Sequence, residues 1–531
     1  QADNHKNNVI RRHEHQDDET LPVFRLHRPD GINEDRVIDL ARSLYGISNY
    51  TIKYIDSRII LRSGSHVVEV DTISGGIWTA DEASLWNTSI RPELVSDEQA
   101  FEIINNLIHN HTLLPKFDED EPFQLVSGKI SGSLLGQQST VNGSRITHKL
   151  DTRTSYRITV NLPNKPHIPI IGGGAKFQFV LGEAGRLIGF NGVWRQPEKK
   201  NLEVKIIPKK ETDKIFLDKF KNQKLVNFTS SLAYFSAPSS KTQQHLYPVY
   251  VYDGTLMVSG KHVPLRQVIL PATHFFPFPK KQTPQQSRSH NETENEKRIN
   301  RRNKLTCGTE WIGESGGLGG SHDNALGFVN GLYDDGWDIS FNWGDFNAFK
   351  SDWTTDNDDW IDNVDFVFYT GHANKDGWEL DGGNSFLTFN EIGLLDRDLE
   401  WLVIAACGPL QDDIISPGGG DVFRWEPAFR GGLHLLLGYA SVTYDNTDEG
   451  RLLTKYAREG QTIINAWFRA AQEIQPSQNT FGPPDGPDIW VGAVWMSSPS
   501  SDPSQDHIWD SGSVSADPIN FNLMNALWTH C

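Results

Sequence analysis

Two apolar runs in the second half of the chain, Asp365–Thr370 and Trp401–Ala406, are short, rich in β-favouring residues and bounded by Gly, Asp or Glu. Runs of this kind mark strands buried on both faces, and such strands are usually parallel. Around them the pattern alternates. Strand-like Glu310–Gly313 precedes helical spacing over Asn324–Leu332, and strand-like Trp337–Trp343 precedes the two runs. A short helical stretch near Trp425–Phe429, the run Leu433–Ala440, a long helical stretch from about Arg451 to Ile474, and Ile489–Met496 follow. The alternation predicts an α/β domain over 307–531, with a mostly parallel sheet covered on both faces.

The first half reads differently. Val37, Leu40, Ala41 and Leu44 have helical spacing, and Thr51–Ile55, Arg58–Leu61 and His66–Val70 read as short antiparallel strands. The segment Val67–Trp78 resembles the strand-turn-strand end of PepSY-type propeptide modules, which implies an α+β pro- or scaffold region. A second module is expected after it. Ser96–Gln99 has the form of a capping box ahead of Ala100, Ile103, Ile104 and Leu107, and strands are expected at Phe123–Ser127, Tyr156–Leu162, Lys176–Leu181, Tyr247–Gly254 and Val263–Leu270. The domain reading is a polar arm over 1–20, an α+β region over 21–273 without catalytic or metal-ligand spacing, and a basic linker over 274–306. The linker carries the dibasic pairs Lys297-Arg298 and Arg301-Arg302, expected processing sites of a zymogen.

Charge divides the chain at the same place. From Cys307 onward there are 35 acidic and 9 basic residues, a net of −26, whereas the residues before it hold 33 acidic and 41 basic, a net of +8. The basic half is therefore expected to dock on the acidic half, in the same molecule or in a neighbouring copy. A chain with an overall charge of −18 and no basic patch interleaved with aromatics is not expected to bind nucleic acid. Nor does any apolar run reach the length of a membrane span.

Three cysteines and six sequons bear on location. A disulfide between Cys307 and Cys531 would close the acidic half into one loop and leave Cys407 as the odd thiol. Asn49, Asn87, Asn110, Asn142, Asn227 and Asn291 each begin an Asn-X-Ser/Thr triplet, and all lie in the basic half or the linker. Together with the polar opening after Gln1, which suits a processed chain, they lead us to expect a secreted, extracellular glycoprotein.

The candidate chemistry stands at the ends of the two central runs. One delivers Gly371-His372 and the other Cys407-Gly408. Ligands of open parallel sheets bind beyond the carboxyl ends of the strands, so this imidazole and this thiol are expected in one cleft. An apolar strand ending in Gly-His, followed by one ending in Ala-Cys-Gly, resembles the caspase-legumain-gingipain superfamily of cysteine peptidases. The resemblance implies Cys407 as nucleophile, His372 as general base and acid, and the backbone N–H groups of Cys407 and Ala373 as oxyanion donors, with Ala373 standing where that family generally has glycine. The implied fold is α/β and caspase-like, and the implied activity is that of a cysteine peptidase or related acyl-transfer enzyme acting on a peptide or protein.

The acidic surface adds an expectation about substrate. Asp323, Asp381 and Asp445, near predicted strand ends, would favour a basic residue before the scissile bond, and such a pocket would also accept Arg298 or Arg302 of the linker. No cofactor and no metal ligand set is expected at the catalytic centre. Asp334-Asp335 and Asp356–Asp359 are acidic enough to hold Ca²⁺ but lack EF-hand spacing. The alternative from a different class is a catalytically silent secreted protein that self-assembles through its basic and acidic halves.

Overall fold

Each of the two apolar runs forms a fully buried strand, Phe366–Thr370 and Trp401–Ala405, paired in parallel. They are central in a computed structural model that describes residues 19–276, 304–393, 395–479, 487–517 and 520–531. The polar arm up to residue 18, and Arg298, Arg302 and Asn291 of the linker, lie outside the described residues.

The sheet containing both strands has nine members. Asp338–Gly344, Thr306–Trp311, Phe366–Thr370, Trp401–Ala405 and Leu435–Tyr439 run parallel in that spatial order. Trp490–Ser497 and Leu523–His530 then continue antiparallel, and the sheet ends on a hairpin, Leu134–Ser139 and Arg145–Lys149, contributed by the N-terminal half. The expected mostly parallel, caspase-like α/β sheet is thus corrected to a mixed one, in a protein that is 38% strand and 22% helix. The physical reason is that apolar runs report burial on both faces, not direction. Antiparallel Trp490–Ser497 is buried through its middle just as the parallel strands are.

Both faces of this sheet are covered. Phe366, Phe368, Trp401, Val403, Leu435 and Leu437 point into one core, with Phe328 and Val329 of the helix Ser321–Tyr333, Leu452 and Leu453 of Glu449–Arg458, and Trp467 and Phe468 of Ile463–Ile474. The intervening Val367, Tyr369, Leu402, Ile404 and Leu436 point into a second core with Trp353, Trp378 and Trp425. Large side chains buried in this way contribute about 1.5–3 kcal/mol each. The single long helix expected from Arg451 to Ile474 is two helices, broken where Gly460 takes φ +89°.

Most N-terminal strands join a fifteen-stranded, largely antiparallel sheet. The helix Glu34–Tyr45, capped by Asn33, and the strands from Thr51 to Asp81 form the expected helix-plus-meander, and the capping box at Ser96 and Gln99 opens the helix Asp97–His111. The first core also takes in Trp86, Ile171, Val249 and Val251, so the two halves share one interior. Their charges meet there as well. Glu69 lies between Arg58 and Arg469, Arg145 pairs with Asp412 at 2.7 Å, and Lys241 with Asp448 at 2.8 Å.

Cys307 and Cys531 are both buried thiols and are not bonded to each other. The disulfide expectation is corrected. Cys307 lies in Thr306–Trp311 and Cys531 follows Leu523–His530, strands with four others between them, a separation of roughly 24 Å at about 4.8 Å per strand. No helix among the described residues is long and apolar enough to cross a membrane. Asn49, Asn110, Asn142 and Asn227 are exposed, whereas Asn87 is half-buried and bonded to its own turn.

Candidate active site

Thr370 and Ala405 face each other in register, and His372 and Cys407 each follow two residues later. The sequence therefore places imidazole and thiol at neighbouring strand ends, where the chain leaves the sheet. Gly371 is required by close approach, since a Cβ there would stand 2.3 Å from the Tyr369 hydroxyl, which donates to the Glu379 carbonyl. Gly408, at φ +78°, turns the chain immediately after the thiol. Ala373 lies in a two-residue strand outside the left-handed region, so its Cβ brings no backbone strain.

His372 and Cys407 do not touch each other through a hydrogen bond. His372 Nε2 lies 2.9 Å from the Gly316 carbonyl, which only an N–H can satisfy, and Nδ1 accepts the backbone N–H of Arg266 at 3.1 Å. These contacts fix the tautomer with its lone pair on Nδ1. Burial above all holds the imidazole down at about 4, with the nearby Arg266 cation acting in the same direction and the Gly316 bond opposing. Cys407 Sγ accepts from the Thr443 amide at 3.4 Å and sits 3.7 Å from the Thr443 hydroxyl. Its pKa is raised by burial, so the thiol keeps its proton at neutral pH.

Arg266 comes from the N-terminal half and explains this state. The apolar run Val263–Leu270 reads as one strand but forms two, Lys261–Pro264 and Val268–Pro271, and the residues between them turn into the acidic half. The Gln267 amide donates to Thr443 O at 2.8 Å, and the Asp445 amide donates to Gln267 O at 2.9 Å, which gives a one-residue parallel bridge between Gln267 and Tyr444. The Arg266 side chain is fully buried. Its guanidinium donates to Thr370 Oγ1 (2.7 Å), the Ala405 carbonyl (2.8 Å), the Tyr444 carbonyl (3.1 Å) and Glu449 Oε2 (2.7 Å). Glu449 is in turn held by Asn324, Tyr439 and Gln475. Such a pair is stable when every remaining lone pair and proton is satisfied.

Gln223 is a second intrusion from the N-terminal half. Its amide donates to Ser315 O and to Glu379 Oε1, both at 2.9 Å. Glu379 is buried with Oε2 unpartnered, and burial pushes its carboxyl up to about 8.

Of the three aspartates expected to line a basic-residue pocket, the structure brings one to Arg266. Asp445 accepts from the Gly320 amide at 2.8 Å, its other oxygen is buried without a hydrogen bond, and burial raises its pKa while Arg266 lowers it. Asp323 is exposed beside His322, and Asp381 accepts from Ser385 in a turn, so neither lines this pocket. Glu449, the principal partner of the guanidinium, was not among the expected residues. A charged Arg inside the apolar run Val263–Leu270 was the signal for it, because a cation buried there demands an anion. Among the acidic clusters weighed for Ca²⁺, Asp335 pairs with Arg458, and Asp358 lies with Asp362 and Asp396 while also pairing with Arg397.

Residues 309–530, fewer than half of the chain, match the sequence profile of DUF6345, a domain of unknown function. No curated protein matches the chain. A crystal structure of an uncharacterised protein from Eubacterium rectale is similar over 48% of this chain and 84% of that one, at 12% identity and a TM-score of 0.29, which carries no argument about fold or activity.

Proposed function

We propose that this chain is a cysteine peptidase, or a related acyl-transfer enzyme, held latent by its own N-terminal half, with Cys407 as nucleophile and His372 as general base and acid. The observation that carries the reading is the seat of Arg266. Its backbone N–H engages the lone pair that a base would use, and its guanidinium fills an anionic pocket beside the thiol strand. Withdrawal of this segment frees Nδ1 to take the Cys407 proton. The thiolate then attacks a peptide carbonyl, and the imidazolium returns the proton to the leaving amine. The backbone N–H groups of Cys407 and Ala373 would face the oxyanion. The chain's own Leu265–Gln267 segment already seats an arginine in this pocket, which supports a preference for a basic residue in that place. Location outside the cell now rests on the exposed sequons alone.

One observation favours the silent alternative. Both candidate residues are fully buried and uncharged in the described state, as befits a structural interior. The ion pairs between the halves close within one chain, however, so this alternative does not need assembly between copies.

Trapping with an acyl-arginine chloromethyl ketone separates the readings. In the Arg266→Ala protein, where the segment loses the guanidinium bonds that seat its amide on Nδ1 and is expected to withdraw, the thiolate should displace chloride and leave a carbon–sulfur bond on Cys407, seen by peptide mass spectrometry and abolished by His372→Ala. Absence of the adduct in folded Arg266→Ala protein would favour the silent interior.

A further inference from the structure

We propose that Glu400, His434 and Asp517 form a divalent-metal site of the Zn²⁺ or Mn²⁺ class, at the end of the mixed sheet opposite Cys407. Trp401 and Leu435 are paired in register at the start of their strands, so the residues before them, Glu400 and His434, are neighbours, and the His434 amide donates to Glu400 O at 2.8 Å. Asp506, itself buried, takes the other side of the imidazole, with Oδ2 at 2.6 Å from Nδ1. It is fixed by the Ser515 amide at 2.7 Å and the Trp401 indole at 3.3 Å. A carboxylate on Nδ1 orients the ring and presents Nε2 as a ligand, the usual outer-sphere arrangement of a metal-bound histidine.

What Nε2 faces is the second observation. His434 is 1% exposed, and Nε2 makes no aligned hydrogen bond, although Glu400 Oε2 lies 3.1 Å away and Asp517 Oδ1 3.7 Å away. The three ligand atoms all lie within 4.8 Å of one another. Donors about 2.0–2.2 Å from a tetrahedral ion stand about 3.4 Å apart, so the observed separations suit a shared cation.

Charge gives an independent argument. Three carboxylates surround one imidazole, and among the described residues no lysine or arginine pairs with Glu400, Asp506 or Asp517. The imidazole carries at most one positive charge against three carboxylates, and a divalent ion on Nε2 would answer them more fully. An imidazole with two carboxylates suits Zn²⁺ or Mn²⁺, whereas Ca²⁺ takes six to eight oxygens. Asp517 is largely exposed, so the ion would pin its segment to the strand starts.

The test is calorimetric titration of the full chain, stripped with chelator, with Zn²⁺, Mn²⁺ and Ca²⁺ salts, and Co²⁺ absorption as a spectroscopic readout. One equivalent of Zn²⁺ or Mn²⁺ is expected, with a visible Co²⁺ band and weaker Ca²⁺ uptake. Asp517→Asn, at an exposed side chain that folding does not need, and Glu400→Gln should each weaken binding by at least about tenfold; Asp506→Asn, a positioning change, should weaken it about 10–100-fold. No binding by the native chain, or binding that Asp517→Asn and Glu400→Gln leave unchanged, overturns the proposal; the latter result places the ion elsewhere, as at Asp358, Asp362 and Asp396.

Discussion

The two ends of the mixed sheet solve the same electrostatic problem in opposite ways. At the carboxyl ends, Glu449 is buried against the chain's own Arg266, and the imidazole lone pair is taken by the same residue's amide. At the amino ends, Glu400, Asp506 and Asp517 crowd one histidine, with no lysine or arginine among the described residues to answer them. On the proposed reading, the filled anionic site holds a built-in occupant that leaves before the site acts. An unfilled one points to an external cation. The N-terminal half therefore does more than cover the acidic half, since it supplies the charge at one end and not at the other.

The largest expected effect comes from breaking the filled end. Glu449→Gln or Arg266→Ala should each cost about 3–5 kcal/mol in denaturant unfolding, because each strands a buried charge. The Arg266→Ala/Glu449→Gln double variant should lose much less than the sum of the two single losses, and additive losses would show that the two do not interact. Next comes filling the other end. At a hundredfold excess over its Kd, a bound metal should stabilise the native chain by about 2.7 kcal/mol, read as a rise in Tm that Asp517→Asn removes.

A smaller effect concerns Glu379. Its folded pKa of about 8 lies above the ordinary carboxyl value of 4.5 because of burial, so the folded state holds the proton more tightly. Its contribution is complete below about pH 4.5 and is lost as pH rises through about 8. Glu379→Gln should flatten that decline and gain about 1–2 kcal/mol at pH 8, after the cost of an unpaired amide N–H is set against it. A pH profile unchanged by the substitution would contradict the assignment. The smallest effect is expected at Asp323, whose exposed carboxylate should change stability by less than about 0.5 kcal/mol as Asn and leave arginine-ketone trapping untouched.

Much of the fold was legible where local chemistry decides it. The capping box at Ser96, the helix from Glu34 and the two central strands follow from periodicity and turn residues, and His372 and Cys407 follow from where those strands stop. What was hidden depends on partners distant in sequence. The hairpin Leu134–Lys149 completes the other half's sheet, and no local pattern announces a strand's neighbour or its direction. The break at Leu265–Gln267 interrupts an apolar run without a glycine, and its signals are Pro264, which ends the first strand, and the buried polar pair Arg266 and Gln267. His434 inside Leu433–Ala440 is the same kind of signal, a polar residue in a buried run whose partners lie at Asp506 and Asp517, far along the chain.

The most direct test of latency is the rate of iodoacetamide alkylation of Cys407 against pH, in the native chain, in Arg266→Ala and Arg266→Lys, and in each with His372→Ala. The native thiol should be almost inert from pH 6 to 9. In Arg266→Ala it should react quickly already near neutral pH, through a step that His372→Ala removes, with Arg266→Lys between the two. A native thiol that reacts as fast as in Arg266→Ala, or a folded Arg266→Ala or Arg266→Lys protein whose Cys407 gains no His372-dependent reactivity, would contradict the account.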